Sequence, residues 1–141
     1  MDIRHESGHI SELFAAYQLA NMGYSILWPL KTQTKYDLAI EIDGTIKKVQ
    51  VKKASWSVSG THKYLQCRFH HGLKKDGFRY SNKDVDLFLI TDNITVWLIP
   101  FEDVEGMTSV CLGSSNPNYR AYTKYDPNKW VISKEKDTKS Y

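Results

Sequence analysis

The dipeptide Asp43-Gly44 constrains this chain more than any other feature of its sequence. It separates two runs that alternate with period two, residues 36–42 and Thr45–Lys53. Asp-Gly between such runs predicts a two-residue hairpin loop of type I′, because both loop positions need positive φ. A loop of that length fixes the register. Ile42 then faces Thr45, Leu38 faces Val49 and Asp37 faces Gln50, with Lys52 two residues further along the same face. Leu38, Ile40, Ile42, Val49 and Val51 share the opposite face, which reads as core. The strand pair therefore gathers an acid, an amide and a lysine on one side of a ribbon whose other side is buried. A bulge in either strand would alter that gathering.

The remaining elements follow from periodicity. Residues 6–22 predict a helix whose buried face is Ile10, Leu13, Phe14, Tyr17 and Ala20, with Gly23 as its C-terminal cap. Glu12 lies apart from that face. Its neighbours three, four and seven residues on are Ala15, Ala16 and Leu19, a small apolar strip unusual for a surface glutamate. Short strands are expected at 24–28, ended by Pro29, and at 64–69. A second hairpin is expected from 86–91 and 94–100 about Asp92-Asn93, then a turn or short helix at 101–106 and a strand at 109–112. One helix against a mixed or antiparallel sheet makes the chain α/β or α+β. With 141 residues and no repeat, a single domain over 1–141 is expected, with an insertion at about 56–83 and a tail at about 114–141.

No apolar run approaches the length of a membrane span, and Met1-Asp2-Ile3-Arg4-His5-Glu6 carries no apolar leader. Two cysteines, Cys67 and Cys111, build neither a disulfide framework nor a zinc site alone. His62, His70 and His71 flank Cys67 without zinc-like spacing. A reduced, cytoplasmic protein is expected, with no membrane partner and no small-molecule cofactor. Charge is uneven: residues 31–85 hold 12 Lys and Arg against 5 Asp and Glu, while both flanks are slightly acidic. A basic middle suits a polyanion. Lys63, Arg68, His70, Lys74, Lys75 and Arg79 are the candidates to line a nucleic-acid path, with Lys35 and Lys53 nearer the hairpin. The tail interleaves Tyr119, Arg120, Tyr122 and Trp130, a pattern suited to nucleic-acid contact or to packing on the core.

An acid and an amide carbonyl are hard oxygen ligands of the kind magnesium accepts, and a lysine beside them can orient a water or offset phosphate charge. Glu12 would supply a second carboxylate. Asp86, at the start of an apolar run, is a strand-start cap or a further acid of the site. The order Glu12, Asp37, Gln50-Val51-Lys52, at spacings of 25, 13 and 2, resembles the PD-(D/E)xK nuclease superfamily. The resemblance extends through Lys35-Tyr36-Asp37-Leu38 and Val85-Asp86-Leu87-Phe88. It is nearest to small homing endonucleases of bacterial group I introns and to archaeal Holliday junction resolvases.

That resemblance implies a restriction-endonuclease-like core with the N-terminal helix packed on a central mixed sheet. It implies Asp37 as the central metal ligand, aided by the Val51 carbonyl, Gln50 and Glu12, with Lys52 beside the attacking water. It also implies magnesium, with manganese as a substitute, double-stranded DNA as substrate and phosphodiester hydrolysis leaving 5′-phosphates. Because one site cuts one strand, a homo-oligomer, dimer or tetramer, is expected. Two departures stand out: Gln50 where many members carry an acid, and Tyr36 where proline commonly precedes the aspartate. The expectation is site-specific cleavage of the homing or restriction type. A Holliday junction resolvase and a decayed DNA-binding module are the alternatives.

Overall fold

The computed structural model describes residues 3–30, 34–69, 81–116 and 126–134. Helix α1 (Ile3–Asn21) is followed by β1 (Ser25–Leu27), β2 (Leu38–Ile42), β3 (Thr45–Lys53), β4 (Ser55–Ser59) and β5 (His62–Arg68). Then come β6 (Leu87–Thr91), β7 (Thr95–Pro100), the short helix α2 (Phe101–Val104), β8 (Ser109–Ser114), a 3-10 turn at Pro127–Trp130 and β9 (Val131–Lys134). Among the described residues the strands form a six-stranded sheet, β1-β2-β3-β6-β7-β9, and a three-stranded sheet, β4-β5-β8.

The β2–β3 hairpin is the one the sequence demands. Asp43 and Gly44 have φ of 49° and 81°, the two positive values of a type I′ turn. Pairing runs from Ile42↔Thr45 to Leu38↔Val49. On its other edge β3 pairs in parallel with β6, from Val49↔Leu87 to Lys53↔Thr91. Asp86 fastens the start of that pairing. Its Oδ2 accepts from the Lys48 N–H at 2.8 Å while its own N–H donates to the Lys48 carbonyl at 2.9 Å. The Asp86 carboxylate is thus spent on backbone, the capping task rather than the site.

Both faces of the large sheet are covered. Ala15 and Leu19 of α1 pack on Leu38, Ile40, Val49 and Val51. On the other face Leu65, Cys67 and Val110 of the small sheet meet Phe88, Ile90 and Ile99. Phe88 is flanked by Phe69 and Phe101, at ring-centroid distances of 4.8 and 6.1 Å. No helix of the described residues is long and apolar enough to cross a membrane. Cys67 and Cys111 are free thiols, both buried.

Three local expectations are corrected and one alternative is decided. Helix α1 is rotated from its predicted face: Ile10, Leu13 and Tyr17 are 56%, 54% and 62% exposed, whereas Ser11 and Ala15 are 1% and 0% exposed. Small side chains let the helix sit close on the sheet, and Ser11 Oγ donates to Asn93 Oδ1 at 3.3 Å, so a hydroxyl is tolerated there. The second hairpin has a longer loop than Asp92-Asn93 alone, since Thr91 pairs with Val96. Asp92 Oδ1 closes it by accepting from the N–H groups of Ile94 and Thr95 at 3.0 and 2.8 Å. The region after Trp56 begins as a hairpin, β4 paired with β5, rather than as a loop with one strand. Finally, Trp130 is 4% exposed and its Nε1 donates to Asp103 Oδ2 at 2.9 Å, and β9 then joins β7. That part of the tail packs on the core. Tyr119, Arg120 and Tyr122 lie outside the described residues.

The rotated helix face is directly testable. Leu13→Gln should change unfolding free energy by no more than about 0.5 kcal/mol, as surface substitutions do. Ala15→Leu, forced against Leu38 and Val51, should cost about 1–3 kcal/mol by overpacking. Urea unfolding of both variants measures the contrast, and the opposite ranking would restore the face predicted from sequence.

Candidate active site

The site forms where β2 begins. The Asp37 N–H donates to the Val49 carbonyl at 2.9 Å, although Leu38 is already the partner of Val49. Two successive residues therefore oppose one, a bulge-like step, and Asp37 does not face Gln50 as an unbroken register would have it. The step turns the side chain from the sheet face to the strand edge, where Asp37 Oδ2 accepts from the Val51 N–H at 2.8 Å. Along a strand the N–H and C=O of one residue point to the same edge. The Val51 carbonyl therefore points to the edge of β3 that Asp37 occupies.

Glu12 reaches this edge from α1. The strip Ala15–Leu19 seats the helix on Val51 and Leu38, and one turn earlier the Glu12 carboxyl hydrogen-bonds Asp37. His9, which the sequence reading passed over, places Nδ1 3.8 Å from Glu12 Oε2. Its only sequence signal is the three-residue helical spacing. Gln50 and Lys52 come from β3, both half-buried, on the face shared with their parallel partners Phe88 and Ile90. The Lys52 charge acts on both Asp37 and Cys67. Glu12, Asp37, Val51 and Lys52 thus converge on one notch, with Gln50 next to it on the strand.

The electrostatics of the notch are those of crowded acids. Burial pushes the Asp37 carboxyl up, and the charge and hydrogen bond of Glu12 push it further. The Val51 N–H and the Lys52 ammonium oppose this, leaving Asp37 at about 7 instead of 3.8. Burial also pushes the Cys67 thiol up to about 11 against the pull of Lys52, so it stays a neutral thiol near the lysine. Among the described residues no three His, Cys, Asp or Glu side chains cluster as a metal site. Here the donors are two carboxylates and a carbonyl, with the Gln50 amide near, all hard oxygens. A buried carboxyl that keeps its proton beside a second acid marks a place that a hard dication fits, since its charge offsets both the burial and the repulsion that favour the protonated form.

The expected nucleic-acid residues are dispersed. Lys35 is exposed and pairs with Asp84 at 3.5 Å. Lys53 is exposed at the end of β3. Lys63 and Arg68 are both exposed on β5 but, five residues apart, lie on opposite faces of the small sheet. His70, Lys74, Lys75 and Arg79 lie outside the described residues.

A family model described as PD-(D/E)XK endonuclease matches residues 3–123. The chain belongs to the PD-(D/E)XK endonuclease family. It is also 33% identical over 116 residues to Protein 5.3 of Escherichia phage T7, covering 82% of this chain and 96% of that protein. A solved structure, the bacterial homing endonuclease I-Ssp6803I, shares its fold, with a TM-score of 0.65 at 19% identity over 93% of this chain and 88% of the other. Membership makes this PD-(D/E)XK protein a nuclease, for which DNA is the substrate, and nucleases of the family generally use divalent metal ions.

The crowded acids have a measurable consequence. Between about pH 4 and 7 the folded protein holds a proton on Asp37 that the unfolded chain has lost. Stability from this group therefore falls as pH rises through that window. The melting temperature of the parent should drop from pH 5 to pH 8 by more than that of Asp37→Asn. Magnesium should raise it at pH 8 in the parent and much less in the variant. Scanning calorimetry with and without magnesium reads these melting temperatures, and equal pH slopes for the two proteins would remove the raised Asp37 carboxyl from the account.

Proposed function

We propose that this protein is a metal-dependent DNA endonuclease that hydrolyses phosphodiester bonds to leave 5′-phosphates, cutting both strands at a specific site in the homing or restriction manner. The observation that carries the reading is the convergence of Glu12, Asp37 and the Val51 backbone on one strand edge, with Lys52 acting on the same carboxylate. Asp37, Glu12 and the Val51 carbonyl would hold a magnesium or manganese ion, with the Gln50 amide oxygen as a further donor. When bound, the ion supplies Lewis acidity toward the scissile phosphate and acidifies a coordinated water.

The protein's own groups do the remaining work. The Val51 N–H holds Asp37 in one rotamer, so that carboxylate needs no reorganisation as charge develops. Lys52 donates hydrogen bonds toward the attacking water and the phosphate oxygens, offsetting the negative charge that grows there. The water oxygen bonds to phosphorus as the bond to the 3′ oxygen breaks, so the products are a 3′-hydroxyl and a 5′-phosphate. Gln50 keeps an oxygen donor but removes one negative charge compared with an acid at that position, which weakens metal affinity without removing a ligand. A single site cuts a single strand, so double-strand cleavage requires two copies acting together. This supports a homo-oligomer.

Supercoiled plasmid with magnesium or manganese, cut by the parent and by Asp37→Asn and Lys52→Ala, tests the proposal. The parent should relax or linearise the plasmid, and each variant should be slower by at least about 100-fold, the scale of losing one preorganised charge in such a site. Variants as active as the parent would refute the site. A four-way junction cut in preference to every duplex of a randomised library would replace site-specific cleavage by junction resolution.

A further inference from the structure

The small sheet carries chemistry that the notch does not use. Its three strands, β4, β5 and β8, contain no Asp or Glu at all. Leu65 and Cys67 of β5 point into the core, so His62, Tyr64, Gln66 and Arg68 line the outer face. Across the hairpin these residues are paired with serines: Ser55↔Gln66, Ser57↔Tyr64 and Ser59↔His62. Paired residues share a face, and all three serines are exposed. On the other flank of β5, Arg68 is paired with Ser109 and Tyr64 with Ser114. The outer face therefore carries serines on both flanks, interrupted at the buried Cys111 beside Gln66, around one row of longer hydrogen-bonding side chains. In that row His62, Tyr64 and Gln66 are half-buried and the Arg68 guanidinium at its end is exposed.

We infer that this face enters the DNA major groove and reads base edges, Gln66 and Arg68 foremost; the inference rests on the nuclease reading above. The groove admits a two-stranded ribbon, and its bases are distinguished by donor and acceptor pattern. Amide and guanidinium groups are the side chains that pair bidentately with adenine and guanine edges. Short serines keep the ribbon surface low beside Gln66, which is half-buried between Ser55 and the buried Cys111. The absence of acids removes repulsion from phosphates on either side of the groove.

Chain continuity places this reading close to the cut. Strand β3 passes into β4 through Ala54 alone, a buried residue whose N–H donates to the Thr91 carbonyl at 2.9 Å. Lys52 and Ser55 are three residues apart and Lys52 and Ser59 seven. At about 3.3 Å per residue these are at most ~10 and ~23 Å. Along duplex DNA that is about three and about seven base pairs, at ~3.4 Å each. Gln66 and Arg68, beside Ser55, thus read the bases nearest the scissile phosphate, and the Ser59–His62 end reads those further out.

The test is cleavage of a randomised duplex library by the parent, Gln66→Ala, Arg68→Ala and Arg68→Lys, with the cut ends sequenced. The parent should show base preference within about seven base pairs of the cut, and each variant should lose about tenfold or more of it at one position nearest the cut. Arg68→Lys keeps the charge and loses the fork, so it should lose preference while retaining the parent's salt dependence. A uniform slowing with unchanged preference, or a preference altered only beyond about seven base pairs, would overturn base reading while leaving the nuclease intact. A parent that cuts neither library nor plasmid would overturn the nuclease reading itself, and this one with it.

Discussion

Everything at the candidate site depends on one hydrogen bond, from the Val51 N–H to Asp37 Oδ2 at 2.8 Å. It exists because β2 starts one residue late. Had Asp37 continued the ladder in register, its carboxylate would stand on the sheet face opposite Gln50, and the edge of β3 at Val51 would lack this partner. The bulge-like step converts an ordinary alternating strand residue into an in-plane carboxylate that closes the edge. The same bond holds the acid in place against Glu12, whose approach would otherwise be relieved by rotation of the Asp37 side chain. The stored repulsion is thus a product of backbone geometry, not merely of two acids occurring in one chain.

That geometry has to be held from both sides. On one edge of β3 the type I′ turn fixes the hairpin, and on the other Asp86 clamps Lys48 so that β6 lies in parallel register. From α1, small residues seat the helix closely on Val51 and Leu38, which is what lets Glu12 reach over the strand end. A bulkier residue at Ala15 would lift the helix and withdraw the second carboxylate, so the packing of α1 and the charge of the notch are one constraint. This explains why Ile10, Leu13 and Tyr17 face away from the sheet. They cannot occupy the strip without enlarging the gap that Glu12 must cross.

How far the sequence reveals this depends on the range over which each feature is decided. The Asp43-Gly44 turn is local, and the hairpin and its core face were legible from residue types and spacing, whereas Glu12 was joined to Asp37 and Lys52 by the family resemblance. The face of α1 was not, because two helical stripes compete and hydrophobicity favours the wrong one. What decides between them is the closeness of a partner that appears later in the chain. The step at Asp37 was likewise invisible, since nothing in Tyr36-Asp37-Leu38 marks an extra residue. Strand β4 was missed because serines alternating with Trp56 and Val58 read as loop, and β9 because its pairing with β7 spans a distant part of the chain. Asp86 shows the limit of counting acids. Its position beside Val85 and Leu87 suits a site residue as well as a clamp, and only its backbone partners distinguish the two.

On the proposed reading, the continuity of β3 with β4 joins chemistry to recognition without a linker between them. Gln50 and Lys52 lie near the end of β3, and Ser55, Ser57 and Ser59 follow in β4 after the chain changes sheet at Ala54, which is buried and tied to Thr91. The single buried residue Ala54 between the two strands would transmit position with little loss, since no flexible linker separates Lys52 from the β4 serines. A ribbon seated in the wrong sequence would sit high or tilted, and Lys52 and the ion ligands would be displaced by the same rigid movement. Misplacement of about 1 Å at a reacting centre is enough to cost roughly 100-fold in rate. Discrimination would then be expressed in cleavage as well as in binding, with no moving part required to connect them.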